Sequence, residues 1–98
     1  SGGENIYPAE LENVLAGCPQ IREAAVVGRS DAKWGEVPVA VVVASGEGEL
    51  SDEDVLALFE ARLARFKHPR AVIFVAELPR NAMGKIQKHE ISKMLETM

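Results

Sequence analysis

Apolar positions fall into short clusters separated by Pro, Gly and charged residues. Leu11, Val14 and Leu15 recur at the spacing of one helix face, which predicts a helix over Pro8–Ala16. Pro8 suits a first turn, where its missing N–H costs nothing, and Gly17 followed by Pro19 ends the helix. Ile21–Gly28 carries the run Ala-Ala-Val-Val and reads as a strand. Glu36–Ala44 is nearly continuous in Val and Ala, as expected of a strand buried on both faces. Pro38 sits near its start, where a lost donor is tolerated. Arg29–Gly35 is a polar connection containing Trp34. Ser51 opens a second helix, with Asp54 at the capping-box position. Val55, Leu56, Phe59, Leu63 and Phe66 form its apolar face, and Pro69 forbids its continuation. Ala71–Val75 predicts a third strand, Leu78–Lys88 a loop and His89–Glu96 a last helix. The order α-β-β-α-β-loop-α implies an α+β fold, a small sheet of three strands covered by helices.

Composition narrows the picture. Ninety-eight residues suffice for one small domain with one modest core. The net charge of −4 argues against nucleic acid as the main partner, which needs clustered Lys and Arg. No apolar run approaches the roughly 20 residues of a membrane-spanning helix, so no transmembrane segment is expected. The single Cys18 cannot form an internal disulfide and shows no nucleophile–base pattern. His68 and His89 lack metal-ligand spacing with it, so no metal site is expected. The acidic run Glu47–Asp54 reads as a solvated turn and helix start. Met83 and Met94 read as packing residues. Ser1–Asn5 is a Gly-rich loop without an initiator Met and reads as cut from a longer chain.

The chemistry-bearing stretch is Pro79-Arg80-Asn81-Ala82-Met83-Gly84-Lys85. Pro79 and Gly84 bracket it as loop-shaping residues. Gly84 permits a tight turn immediately before Lys85, a mobile ammonium suited to an anion. Arg80 and Lys88 add local positive field, so phosphate or carboxylate is the expected target. A Walker A loop is excluded, because Pro79 stands at its first Gly and Ile86 at its Mg²⁺-binding hydroxyl. Local pattern leaves two readings open, an anion-directed cation or a solvated turn.

Pro79–Ile86 resembles the C-terminal motif of the acyl-CoA synthetases, the AMP-forming acid–CoA ligases of the adenylate-forming enzyme superfamily. Two further stretches agree in order and spacing. Gly2-Gly3-Glu4-Asn5-Ile6-Tyr7-Pro8-Ala9-Glu10-Leu11-Glu12 resembles the segment after the interdomain hinge. Val26-Val27-Gly28 through Asp31, then Trp34–Ala40, resembles a third family segment. The likeness is to the small C-terminal lid domain alone, so residues 1–98 are expected to be one such domain. The large N-terminal domain and hinge lie outside these residues.

The resemblance implies a two-step ligase using ATP, Mg²⁺ and CoA. A carboxylic acid attacks the ATP α-phosphate, and the CoA thiol then displaces AMP from the acyl-adenylate. The small domain rotates between the steps. Lys85 matches the catalytic lysine of adenylation, where a cation offsets repulsion between carboxylate and triphosphate. Arg80 and Asn81 are expected to shape the loop. Gly2, Gly3 and Glu4 match a loop along the pantetheine path, or alternatively form a flexible post-hinge loop. Trp34, Phe66, Lys67 and His68 are candidates for the CoA nucleotide. Arg often occupies a position near the family's aromatic residue; here Lys67 intervenes and His68 takes the other basic place, so phosphate pairing could be weaker or pH-dependent. Core packing for Phe66 and loop anchoring for Trp34 remain the plain alternatives. The expected partner is the chain's own N-terminal domain, the expected location cytoplasmic, and the isolated 98 residues are expected to be inactive. A peptide-synthetase adenylation domain, a luciferase-like enzyme and a non-catalytic binding module with the same fold are the rival readings.

Overall fold

The computed structural model describes residues 7–98. Helix α1 spans Pro8–Ala16, with Pro8 in its first turn as the sequence predicts. Strands β1 (Ile21–Asp31) and β2 (Gly35–Ala44) form an antiparallel hairpin. Helix α2 (Asp52–Ala57) and a 3₁₀ turn (Arg65–Lys67) lead to β3 (Ala71–Phe74). Helix α3 (Lys88–Glu96) closes the chain. The sheet order is β1-β2-β3, with β3 parallel to β2.

The central position of β2 explains its composition. Val37 through Val43 are all buried. Alternate side chains feed two cores, one on each face of the sheet, where the chain length alone implies one. Ala40 and Val42 join Leu11, Leu15, Val55 and Phe59 beneath α1 and α2. Val39, Val41 and Val43 join Leu78, Ile91 and Leu95 beneath α3. The result is the expected α+β domain, with the sheet sandwiched between helices.

Three sequence expectations need correction. β1 runs three residues beyond Gly28, because Arg29, Ser30 and Asp31 stay paired with Val37, Glu36 and Gly35 although their side chains carry no apolar signal. The second helix does not reach Phe66. Its capping box forms as expected, with the Ser51 hydroxyl accepting from the Asp54 N–H and the Asp54 carboxylate accepting from the Ser51 N–H. Beyond Ala57 the bonds tighten: Leu58, Phe59, Glu60 and Arg62 each donate three residues back. That tightening keeps Phe59 fully buried but rotates Phe66 outward, where it is 52% exposed. Phe66 is therefore not a core residue. Met83 and Met94 are likewise no buried packing residues within this chain, being 81% and 36% exposed.

Candidate functional site

The candidate residues lie at two opposite rims of the sheet. At the first rim, the Lys85 loop leaves β3 and returns to α3 beside Glu23, near the start of β1. The loop is clamped by its own side chains. Arg80 and Ile86 face each other in an isolated antiparallel bridge, and the Gln87 N–H donates to the Pro79 carbonyl at 2.9 Å. Inside this neck, Asn81 Oδ1 accepts from the Met83 N–H at 2.9 Å and the Lys85 N–H at 3.0 Å. The Asn81 N–H donates in turn to the Lys85 carbonyl at 3.0 Å, and Gln87 Nε2 donates to that carbonyl at 3.2 Å. Gly84 has φ of +85°, and no atom stands near where a Cβ would lie. Glycine is required there by backbone conformation rather than by crowding.

Lys85 thus differs from its sequence reading in one respect. Its backbone is fixed on both sides; only the side chain is free to sweep. The residue is exposed. Among the described residues no carboxylate forms an ion pair with its ammonium. A rigid base with an uncommitted cation can meet an anion arriving from outside the domain.

At the second rim, the β1–β2 hairpin presents Trp34. Asp31 Oδ1 accepts from the Lys33 and Trp34 N–H groups, both at 2.9 Å. These bonds hold the Asp31 carboxyl below its ordinary range, the Trp34 bond contributing most. Gly35, with φ of +83°, turns the chain into β2. Two cations face the Trp34 ring: Lys33 Nζ at 4.9 Å from the centroid and the Arg70 guanidinium carbon at 5.5 Å. Arg70 is set there because its N–H donates to the Pro38 carbonyl at 2.8 Å, which starts the β2–β3 pairing.

Beside Arg70 lies an open cleft of about 520 Å³ lined by Arg65, Phe66, His68 and Pro69 among others. The ring of His68 shares its Nε2 proton with the Leu63 carbonyl at 2.9 Å and lies 5.9 Å from Phe59. Lys67 does not line the cleft; it pairs with Glu10 at 3.1 Å. So the structure brings Phe66 and His68 together, links them through Arg70 to Trp34, and sets Lys67 elsewhere. Gly2, Gly3 and Glu4 lie outside the described residues. Arg65 and Arg70 are cations that sequence reasoning passed over. Both flank the Phe66–Pro69 stretch, so nearness to it was the available signal.

Residues 10–85 match the family model described as AMP-binding enzyme C-terminal domain. The chain belongs to this family. It is 54% identical over 95 residues to an indoleacetate–CoA ligase of Aromatoleum aromaticum, covering 97% of this chain and 19% of that protein. A Mycobacterium tuberculosis fatty acyl CoA synthetase superposes with a TM-score of 0.93 at 45% identity, covering 99% of this chain and 19% of that one. The ATP-bound MatB of Rhodopseudomonas palustris gives 0.93 at 40% identity, covering 97% and 19%. The chain therefore spans about a fifth of the length of the relatives it matches. Among the described residues, no helix is long and apolar enough to cross a membrane.

Proposed function

We propose that residues 1–98 are the mobile C-terminal lid domain of an ATP-dependent, AMP-forming acid–CoA ligase. In this reading the chain works against a large N-terminal domain that holds ATP and the acid. The observation that carries the proposal is the Lys85 clamp, a fixed backbone bearing an ammonium without an ion pair among the described residues. During adenylation, carboxylate and triphosphate must approach each other. The Lys85 ammonium lies between them, orients the attack and offsets the charge developing at phosphorus.

The second rim serves thioester formation. Trp34 offers a ring face to the CoA adenine, with Phe66 nearby, while Arg70 and Arg65 supply donors for phosphate and His68, its Nε2 bonded to Leu63, lines the same cleft. Gly2, Gly3 and Glu4 would line the pantetheine path. About eight strand residues separate Glu23 from Asp31, roughly 26 Å at ~3.3 Å each, so the two rims cannot face one reaction centre together. That separation supports rotation of the domain between half-reactions. In this reading Mg²⁺ binds with ATP mainly on the large N-terminal domain. No acid is assigned either, since relatives named for indoleacetate and for a fatty acyl group share this domain. Use of ATP and CoA suits a cytoplasmic enzyme. In this reading ATP and the acid sit on the large N-terminal domain, and no turnover is expected of the 98 residues alone.

The test is Lys85→Ala in the full-length ligase. Acid-dependent ATP–pyrophosphate exchange should fall by about 10²–10³, while supplied acyl-adenylate is still converted by CoA at near-normal rate. Unchanged exchange would remove Lys85 from the chemistry.

A further inference from the structure

Arg80 is the one side chain that ties the Lys85 loop to the sheet through an ion pair among the described residues. Its guanidinium is divided between two tasks. Nε donates to the Gly84 carbonyl at 3.1 Å, the peptide oxygen immediately before Lys85. The two terminal nitrogens face the carboxylate of Glu23 on β1, one at 2.7 Å from Oε1 and the other at 3.3 Å from Oε2. The far half of the same peptide, the Lys85 N–H, is held by Asn81. The Gly84–Lys85 peptide plane is therefore gripped from both sides, and only the Arg80 side connects it to the sheet.

We propose that Glu23 and Arg80 are positioning residues for adenylation, a relay of one hydrogen bond and one close ion-pair contact that fixes the Lys85 backbone to β1. The inference rests on the adenylation role of Lys85 proposed above. Global stability does not account for the pair. The Arg80 side chain is 41% exposed and screened by water, and the buried Glu23 Oε1 meets it at 2.7 Å without a hydrogen bond, so the pair contributes little to folding. What the pair contributes is direction. A guanidinium is a rigid fork, so a carboxylate fixed on a strand dictates where its third nitrogen points. Lysine in its place carries the charge but cannot hold both groups in one plane. Glu23 in turn is fixed because its backbone pairs with Val43 in the sheet.

The test uses Arg80→Gln, Arg80→Lys, Glu23→Gln and the double variant Glu23→Gln/Arg80→Gln in the full-length ligase, with Lys85→Ala alongside. Each single variant should lower acid-dependent ATP–pyrophosphate exchange about tenfold through kcat, the scale of a sub-ångström misplacement. The double variant should be no worse than either single one, and thioester formation from supplied acyl-adenylate should be unchanged. Arg80→Lys should not rescue. In the 98-residue chain, Arg80→Gln should speed amide hydrogen exchange at Lys85 with the β2 amides unaffected. If Lys85→Ala abolishes exchange while Glu23→Gln leaves it intact, the relay is wrong and the Lys85 role stands. If Arg80→Gln alone impairs exchange, Arg80 touches substrate directly and the positioning role is overturned. If Lys85→Ala has no effect, the reading beneath the relay fails; faster Lys85 amide exchange in Arg80→Gln would then still show the clamp, and unchanged exchange would refute it too.

Discussion

Glu12 reaches from α1 to accept the Val26 backbone N–H at 2.9 Å, and the same carboxylate oxygen lies 2.8 Å from the Lys88 ammonium. β1 is an edge strand, and an edge leaves backbone donors without a sheet partner. Val26 itself is buried, so its N–H would otherwise stand unsatisfied. One carboxylate thus joins both helix layers to the sheet edge.

Glu12→Ala should destabilise the domain by about 1–2 kcal/mol, the scale of a lost hydrogen bond to a charged group partly open to water. For a chain of this size that lowers Tm by roughly 4–8 °C per kcal/mol. Glu12→Gln retains an acceptor for Val26 and should lose less. Thermal denaturation followed by circular dichroism measures the difference; equal losses would mean that Lys88, not Val26, is the partner that matters.

Gly84→Ala places a side chain at φ of +85° with no steric obstacle around it. The cost should be about 1–2 kcal/mol, from conformation alone. Gly84→Asn, which tolerates this region better, should cost less. Chemical denaturation ranks the two, and a reversed order would point to crowding instead.

Asp31 predicts an acid transition at the hairpin. Its carboxyl is held low chiefly by the Trp34 N–H, then by the Lys33 N–H, with Arg70 and Arg29 adding attraction. A depressed carboxylate stabilises the fold above its unfolded value, 3.8 for this side chain, and loses that contribution as pH falls through the lower folded value. Trp34 is the only tryptophan, so its fluorescence reports the hairpin. Emission should shift below about pH 4 in the native chain. Asp31→Asn keeps an acceptor oxygen and should abolish the shift.

Arg70→Ala should raise the KM for CoA about tenfold in the full-length ligase, since it removes a phosphate donor and one of the two cations over Trp34, and base stacking alone carries about 1–3 kcal/mol. ATP–pyrophosphate exchange should not change. Steady-state titration of CoA checks the first claim. An equal loss in both half-reactions would place Arg70 outside the CoA site.

Local signals were the legible ones. Pro8, Gly17 and the Ser51–Asp54 box sit in the sequence beside the backbone groups they serve, and α1 and α2 start where they predict. What escaped depends on distant pairing. Asp31 belongs to a strand only because Gly35 faces it across the hairpin. Phe66 reads as a continuing helix face because spacing cannot show that bonds tighten after Ala57. Arg70 meets Trp34 through the parallel pairing of β2 with β3, a contact between residues 36 positions apart by their numbers. Glu23 reads as an ordinary polar strand position until the loop folds back upon it. The Lys85 motif and a loop-shaping Asn81 were visible, but not that the Asn81 side chain holds the Met83 and Lys85 N–H groups.

The opposite placement of the two rims makes them separable traits. Trp34 and Lys85 share no side-chain contact among the described residues, and a buried sheet lies between them. On the proposed function, changes that refit the Trp34 rim to a different thiol acceptor would leave the geometry of the Lys85 rim untouched. A lineage, or a designer, can therefore exchange the acceptor while the activating step is inherited intact.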